Sequence, residues 1–155
     1  MKKNILFIIL LSVVFQAQAK EYQGTPSSFG MGISTGSITG TGIDVTKYFG
    51  DYFVQGSIML IYQAEGDSFN DYALSAGKYL GKEEVLSFDM PIGFKVVGGV
   101  NLTDDGELRK AVGFGVDLFN PGARGVSAWF NITYGTPGYV DNFTFYPATG
   151  IMYNF

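Results

Sequence analysis

The sequence predicts an all-β chain: an eight-stranded antiparallel up-and-down transmembrane β-barrel, preceded by a cleaved signal peptide. Three observations carry that expectation. Apolar residues alternate with small or polar ones, period two, along most of the chain beyond residue 20, the pattern of strands with one oily face. Only 15% of the 155 residues are charged, while 16% are aromatic and 22 are Gly; an ordinary soluble domain carries roughly 25% charge. The face opposite the oily one holds Gly, Ser, Thr and Ala. Such a face makes a thin solvent coat but suits the crowded interior of a narrow barrel.

Residues 1–19 read as the signal peptide. Lys2 and Lys3 form a basic start, Ile5 to Phe15 an apolar run, and Ala17-Gln18-Ala19 a small-x-small cleavage site. The run is shorter than the ~20 residues of a spanning helix. Residues 20–155 then form a single barrel domain, with eight basic against 14 acidic side chains. The chain has no Cys, which excludes a disulfide framework, thiolate metal sites and a lipoprotein anchor.

Eight strands follow in order. Phe29, Met31 and Ile33 share the oily face of the first, and Thr41, Ile43, Val45, Lys47 and Phe49 that of the second. Tyr52, Val54, Gly56, Ile58, Leu60 and Tyr62 form the third, and Tyr72, Leu74, Ala76, Lys78 and Leu80 the fourth. The fifth, Val85 to Val100, turns Leu86, Phe88, Met90, Ile92, Phe94 and Val96 one way. Val112, Phe114, Val116 and Leu118 mark the sixth, and Val126, Ala128, Phe130, Ile132 and Tyr134 the seventh. Phe143, Phe145, Thr149, Ile151, Tyr153 and Phe155 mark the last. Gly50-Asp51, Gly81 to Glu84 and Asn120 to Ala123 have turn chemistry. The alternate connections fall at 36–38, 64–68, 101–108 and 135–141.

Backbone polar groups in hydrocarbon must all be paired within the protein, so strands there close into a barrel, and aromatic residues at strand ends suit the two interfaces. Lys47 and Lys78 fall on the outward face. Near a strand end they can snorkel to the interface; a bulge that reverses parity would instead turn them inward.

The C-terminal Ile151-Met152-Tyr153-Asn154-Phe155 ends in Phe, with Ile151, Tyr153 and Phe155 at alternate positions. With the leader and the eight amphipathic strands, it resembles the small outer-membrane β-barrel proteins of Gram-negative bacteria, of the OmpA/OmpX-like type. Residues 101–117 and 134–153 are also similar to YfaZ-type outer-membrane proteins. The resemblance implies that Ile151, Tyr153 and Phe155 form the signal read by the barrel-assembly machinery. It also implies an outer-membrane location and contact with lipid and lipopolysaccharide. The short connections depart from better-known members and speak against an adhesin or phage-receptor role.

Inside such a barrel the inward charges are Asp44, Asp71, Asp89, Lys95 and Asp117. Simple hairpin pairing places Asp71 and Asp117 each opposite or diagonal to Lys95, a charge cluster that either plugs the lumen or gates it. Tyr48, Phe53, Phe69, Tyr79, Phe119, Trp129 and Tyr146 are expected inside as well and favour the plug.

The absence of His removes the commonest general base and transition-metal ligand, and no catalytic residue, metal site or cofactor is expected. Asp104 and Asp105 lack the spacing of a calcium loop and read as an acidic turn. A net charge of −4 leaves no basic footprint for nucleic acid. The expected role is non-enzymatic: envelope structure or a narrow, plugged pore. Two alternatives remain, a secreted soluble barrel binding an apolar ligand inside, and a surface interaction protein acting through its extracellular loops. Oligomeric state is open.

Overall fold

The computed structural model describes residues 19–21, 23–36, 40–62, 68–85, 90–102, 106, 108–135 and 144–155. The signal peptide therefore falls, apart from Ala19, outside the described residues. Ala19–Glu21 forms a short strand, β1, and the barrel strands are β2 (Phe29–Gly36), β3 (Gly40–Phe49), β4 (Tyr52–Tyr62), β5 (Ser68–Val85), β6 (Met90–Leu102), β7 (Leu108–Leu118), β8 (Gly125–Gly135) and β9 (Thr144–Asn154).

Each barrel strand pairs antiparallel with the next in the chain, and β2 closes the ring on β9 through Gly30–Asn154 to Gly36–Ala148. The result is a closed barrel of the eight strands β2 to β9. Carried once round the ring, the register slips by about ten residues, which tilts the strands by about 40° to the axis. The termini of the barrel, Phe29 and Phe155, lie together at one end, joined by the Phe155 N–H donating to the Phe29 carbonyl at 2.8 Å.

The strand faces follow the alternation. Phe114 and Phe145 are 70% and 69% exposed on the outside. Tyr48, Phe53, Tyr79, Val97 and Met152 pack together inside. Lys47 and Lys78 face outward, with their ammonium groups 6.0 Å from the Phe49 ring and 5.2 Å from the Tyr52 ring. A bulge does occur in β5, but between Tyr79 and Gly81, past Lys78, so the parity of Lys78 is unchanged.

Two expectations need correction. Gly81 to Glu84 is strand, not turn: after the bulge, Gly81 through Val85 pair with Phe94 through Met90, and β1 adds to the same stretch through Ala19–Val85. The bulge supplies the twist that lets β5 run on where turn residues alone suggest it should stop. Phe119 does not enter the lumen. It follows the last residue of β7 with a φ of 72°, is 49% exposed, and so escapes the period-two rule.

Candidate functional site

The described lumen is centred on Lys95. Alternation in β6 turns this side chain inward, and the β6–β7 register sets Gly93 opposite Asp117 and Gly115 opposite Lys95, so Asp117 is its diagonal neighbour. Lys95 Nζ lies 2.6 Å from Asp117 Oδ1. Tyr79, opposite Lys95 across the β5–β6 ladder, donates its hydroxyl to Asp117 Oδ2. The ammonium also sits 5.2 Å from the Phe53 ring centroid and 5.3 Å from that of Trp129. One carboxylate and two π faces thus surround the cation and replace the water it has lost.

Asp71 is not part of this arrangement. The expected pairing made it a neighbour of Lys95, but the register pairs Lys95 with Tyr79, eight residues along β5 and roughly 26 Å away along the strand. The slip comes from β5 itself. It runs past Gly81, so the hairpin turns later than turn chemistry suggests and β6 slides relative to β5. The side chains of Asp71, Phe69 and Tyr146, together with Asp89, Asp104 and Asp105, lie outside the described residues.

Below the ion pair, towards the termini, the Tyr48 hydroxyl donates to Asn154 Oδ1 at 3.0 Å, and Asn154 Nδ2 donates to Ser127 Oγ at 3.1 Å. Beside them, Thr46 Oγ1 donates to Gln55 Oε1 and Gln55 Nε2 to Ser57 Oγ, each at 3.4 Å. The β7–β8 turn folds over this end: Pro121 is fully buried, Ala123 bridges to Pro26, and the Ser27 N–H donates to the Gly122 carbonyl at 3.1 Å. Asn154 was legible only as an inward position between Tyr153 and Phe155. The turn crossing the lumen has no sequence signal beyond its Pro-Gly.

At the C-terminus, Ile151, Tyr153 and Phe155 are all exposed on the outer face. The Phe155 ring stands 5.9 Å from Phe29 and 5.0 Å from Tyr153, and its carbonyl accepts from Ser27 Oγ at 2.8 Å. No group of three His, Cys, Asp or Glu side chains converges as a metal site among the described residues.

A closed eight-stranded ring with a filled lumen can be compared with solved barrels. The chain is similar to the crystal structure of the N-terminal β-barrel domain of Pseudomonas aeruginosa OprF, with a TM-score of 0.54 over 86% of this chain and 100% of that one. The two share a fold. Identity to the OprF barrel is 13%, so the likeness extends to the barrel architecture and not to individual lumen residues. No protein-family description matches the chain, and no curated protein matches it.

Proposed function

We propose that this chain is an integral outer-membrane β-barrel protein of the cell envelope, non-enzymatic, whose lumen is plugged by its own side chains. The observation that carries the reading is the inverted distribution of polarity. Ile33, Leu80, Val112, Phe114 and Phe145 are well exposed, whereas Asp44, Thr46, Lys95, Asp117 and Asn154 are buried. In water such a continuous apolar belt drives association; in a bilayer it is the lipid contact. An 11-residue strand such as β4 or β7, tilted by about 40°, spans about 25–28 Å, the height of a bilayer-facing apolar band. Lys47 and Lys78 beside Phe49 and Tyr52 suit an interface at the end where the termini meet, which would then face the periplasm.

The soluble-barrel alternative requires the oily face inside and is disfavoured by this distribution. A gate at Lys95–Asp117 is the second reading; the burial of both side chains and the turn folded beneath them favour a plug. In this proposal lipid and lipopolysaccharide surround the barrel, and the assembly machinery recognises Ile151, Tyr153 and Phe155.

Membrane fractionation with heat-modifiable gel migration tests the proposal. The protein is expected in the outer-membrane fraction, with a shift in apparent mass on boiling. Soluble periplasmic protein with unchanged migration would overturn it.

A further inference from the structure

The geometry points to a monovalent-cation site inside the barrel, formed by the Asp44 carboxylate with the Ser34 hydroxyl and closed on one side by the Trp129 indole. Asp44 and Ser34 take no part in the ion-pair plug, and Trp129, whose ring also faces the Lys95 ammonium, is shared with it. Asp44 is 0% exposed, and neither of its carboxylate oxygens has a hydrogen-bond partner among the described residues. The same holds for Ser34 Oγ, Asn131 Oδ1 and Trp129 Nε1. Buried polar atoms in folded proteins are nearly always paired, and a buried carboxylate without a counter-charge is among the costliest arrangements a protein can hold.

Asp44, Ser34 and Trp129 are neighbours by register, whereas Asn131 Oδ1 lies over Gly115 of β7 and belongs elsewhere. Asp44 lies opposite Gly32 in β2, and Ser34 lies opposite Gly42 in β3, so the two side chains are diagonal on the inner face, a separation of about 7–8 Å that one ion and its water can bridge. Gly150 of β9 pairs with Ser34 on one side and with Trp129 on the other. The Trp129 ring lies across Gly150, where an added Cβ would stand 2.6 Å from Cε2. Gly32, Gly42 and Gly150 bring no side chain to compete for the space.

Charge decides the class of ligand. Among the described inward charges, Lys95 is matched by Asp117, which leaves Asp44 as a single uncompensated negative charge. Hydroxyl and carboxylate oxygens are hard donors, suited to an alkali cation that keeps part of its hydration shell. The indole N–H, a donor only, holds one of those waters.

Trp129 is the sole Trp, so its emission reports the site directly. The detergent-folded full chain is titrated with thallous nitrate, whose heavy monovalent cation substitutes for potassium and quenches indole emission on contact. The expected result is a saturable quench, relieved by potassium, with affinity roughly tenfold or more weaker in Asp44→Asn and also weakened in Ser34→Ala. Should Asp44→Asn fail to fold, Ser34→Ala and the anomalous thallium peak in crystals of the wild-type barrel carry the test. A quench linear in thallium, an unchanged saturable quench in the variants, or water alone between Asp44 and Ser34 would overturn the proposal. Heat-modifiable migration is recorded on the same samples, so loss of the site is distinguishable from loss of the barrel and is independent of where the barrel resides.

Discussion

Lys95 and Asp117 form an ion pair of 2.6 Å inside the barrel with only 4% of either side chain exposed. The pair holds three strands together, because Tyr79 of β5 and Lys95 of β6 both bind the Asp117 carboxylate of β7. Removing one partner strands a buried charge. Asp117→Ala is therefore expected to destabilise the folded barrel by about 3–5 kcal/mol, while the double variant Lys95→Met with Asp117→Leu returns close to wild-type stability. Urea unfolding in lipid vesicles, followed by Trp129 emission, measures both. Equal losses in the single and double variants would show that the pair is not the energetic unit.

The proposed plug has an electrical consequence. Wild-type protein in planar bilayers is expected to show no stable conductance steps, and Lys95→Ala alone is expected to leave it closed, because the phenol and indole rings and the Pro121 turn still fill the bore. Regular single-channel steps in the wild type that change in Lys95→Ala would establish a gate instead.

Lipid contact has a depth signature. Phe114 stands mid-strand on the outer face, whereas Leu108 begins β7. Phe114→Lys is expected to cost about 2–4 kcal/mol of folding free energy in vesicles and Leu108→Lys about 0–1 kcal/mol. Near-equal effects in the same titration would argue for a water-facing surface.

Glycines divide by what a methyl group would meet. At Gly113 an added Cβ would lie 2.0 Å from the Ile132 carbonyl oxygen, while at Gly56 nothing stands within 4 Å. Gly113→Ala is expected to lower stability by about 1–3 kcal/mol or prevent closure. Gly56→Ala is expected to be neutral or to raise stability by about 0.4–1 kcal/mol. Unfolding midpoints of the two variants decide.

An assembly role and a bracing role of the terminal aromatic residue are separable by experiment. If Phe155 is an assembly signal, Phe155→Ala lowers outer-membrane yield in cells several-fold while the purified chain still refolds into detergent at a rate close to wild type. If it serves only to brace Phe29 and Ser27, both measurements fall together.

The alternation of side chains determined a great deal without any structure: the strands, the outward belt, and the inward placement of Asp44, Tyr48, Phe53, Tyr79, Lys95, Asp117 and Trp129. Those are local properties, because each residue's face in a strand depends only on its parity relative to its neighbours. Relative sliding of strands is not local. It depends on where each hairpin turns and on bulges: the turn chemistry of Gly81 to Glu84 suggests a turn there and Asp71 beside Lys95, whereas the β5–β6 ladder shifts at Tyr79 and runs on to Val85. Parity also lapses where the ladder ends, as at Phe119. The sequence alone thus determined which side chains enter the barrel. Only the tertiary structure decided that Asp71 stands far from Lys95, because β5 runs on to Val85, and that Asp44 meets no counter-charge among the described residues, because closure of β2 on β9 sets Gly150 and the Trp129 ring, not a cation, beside Ser34.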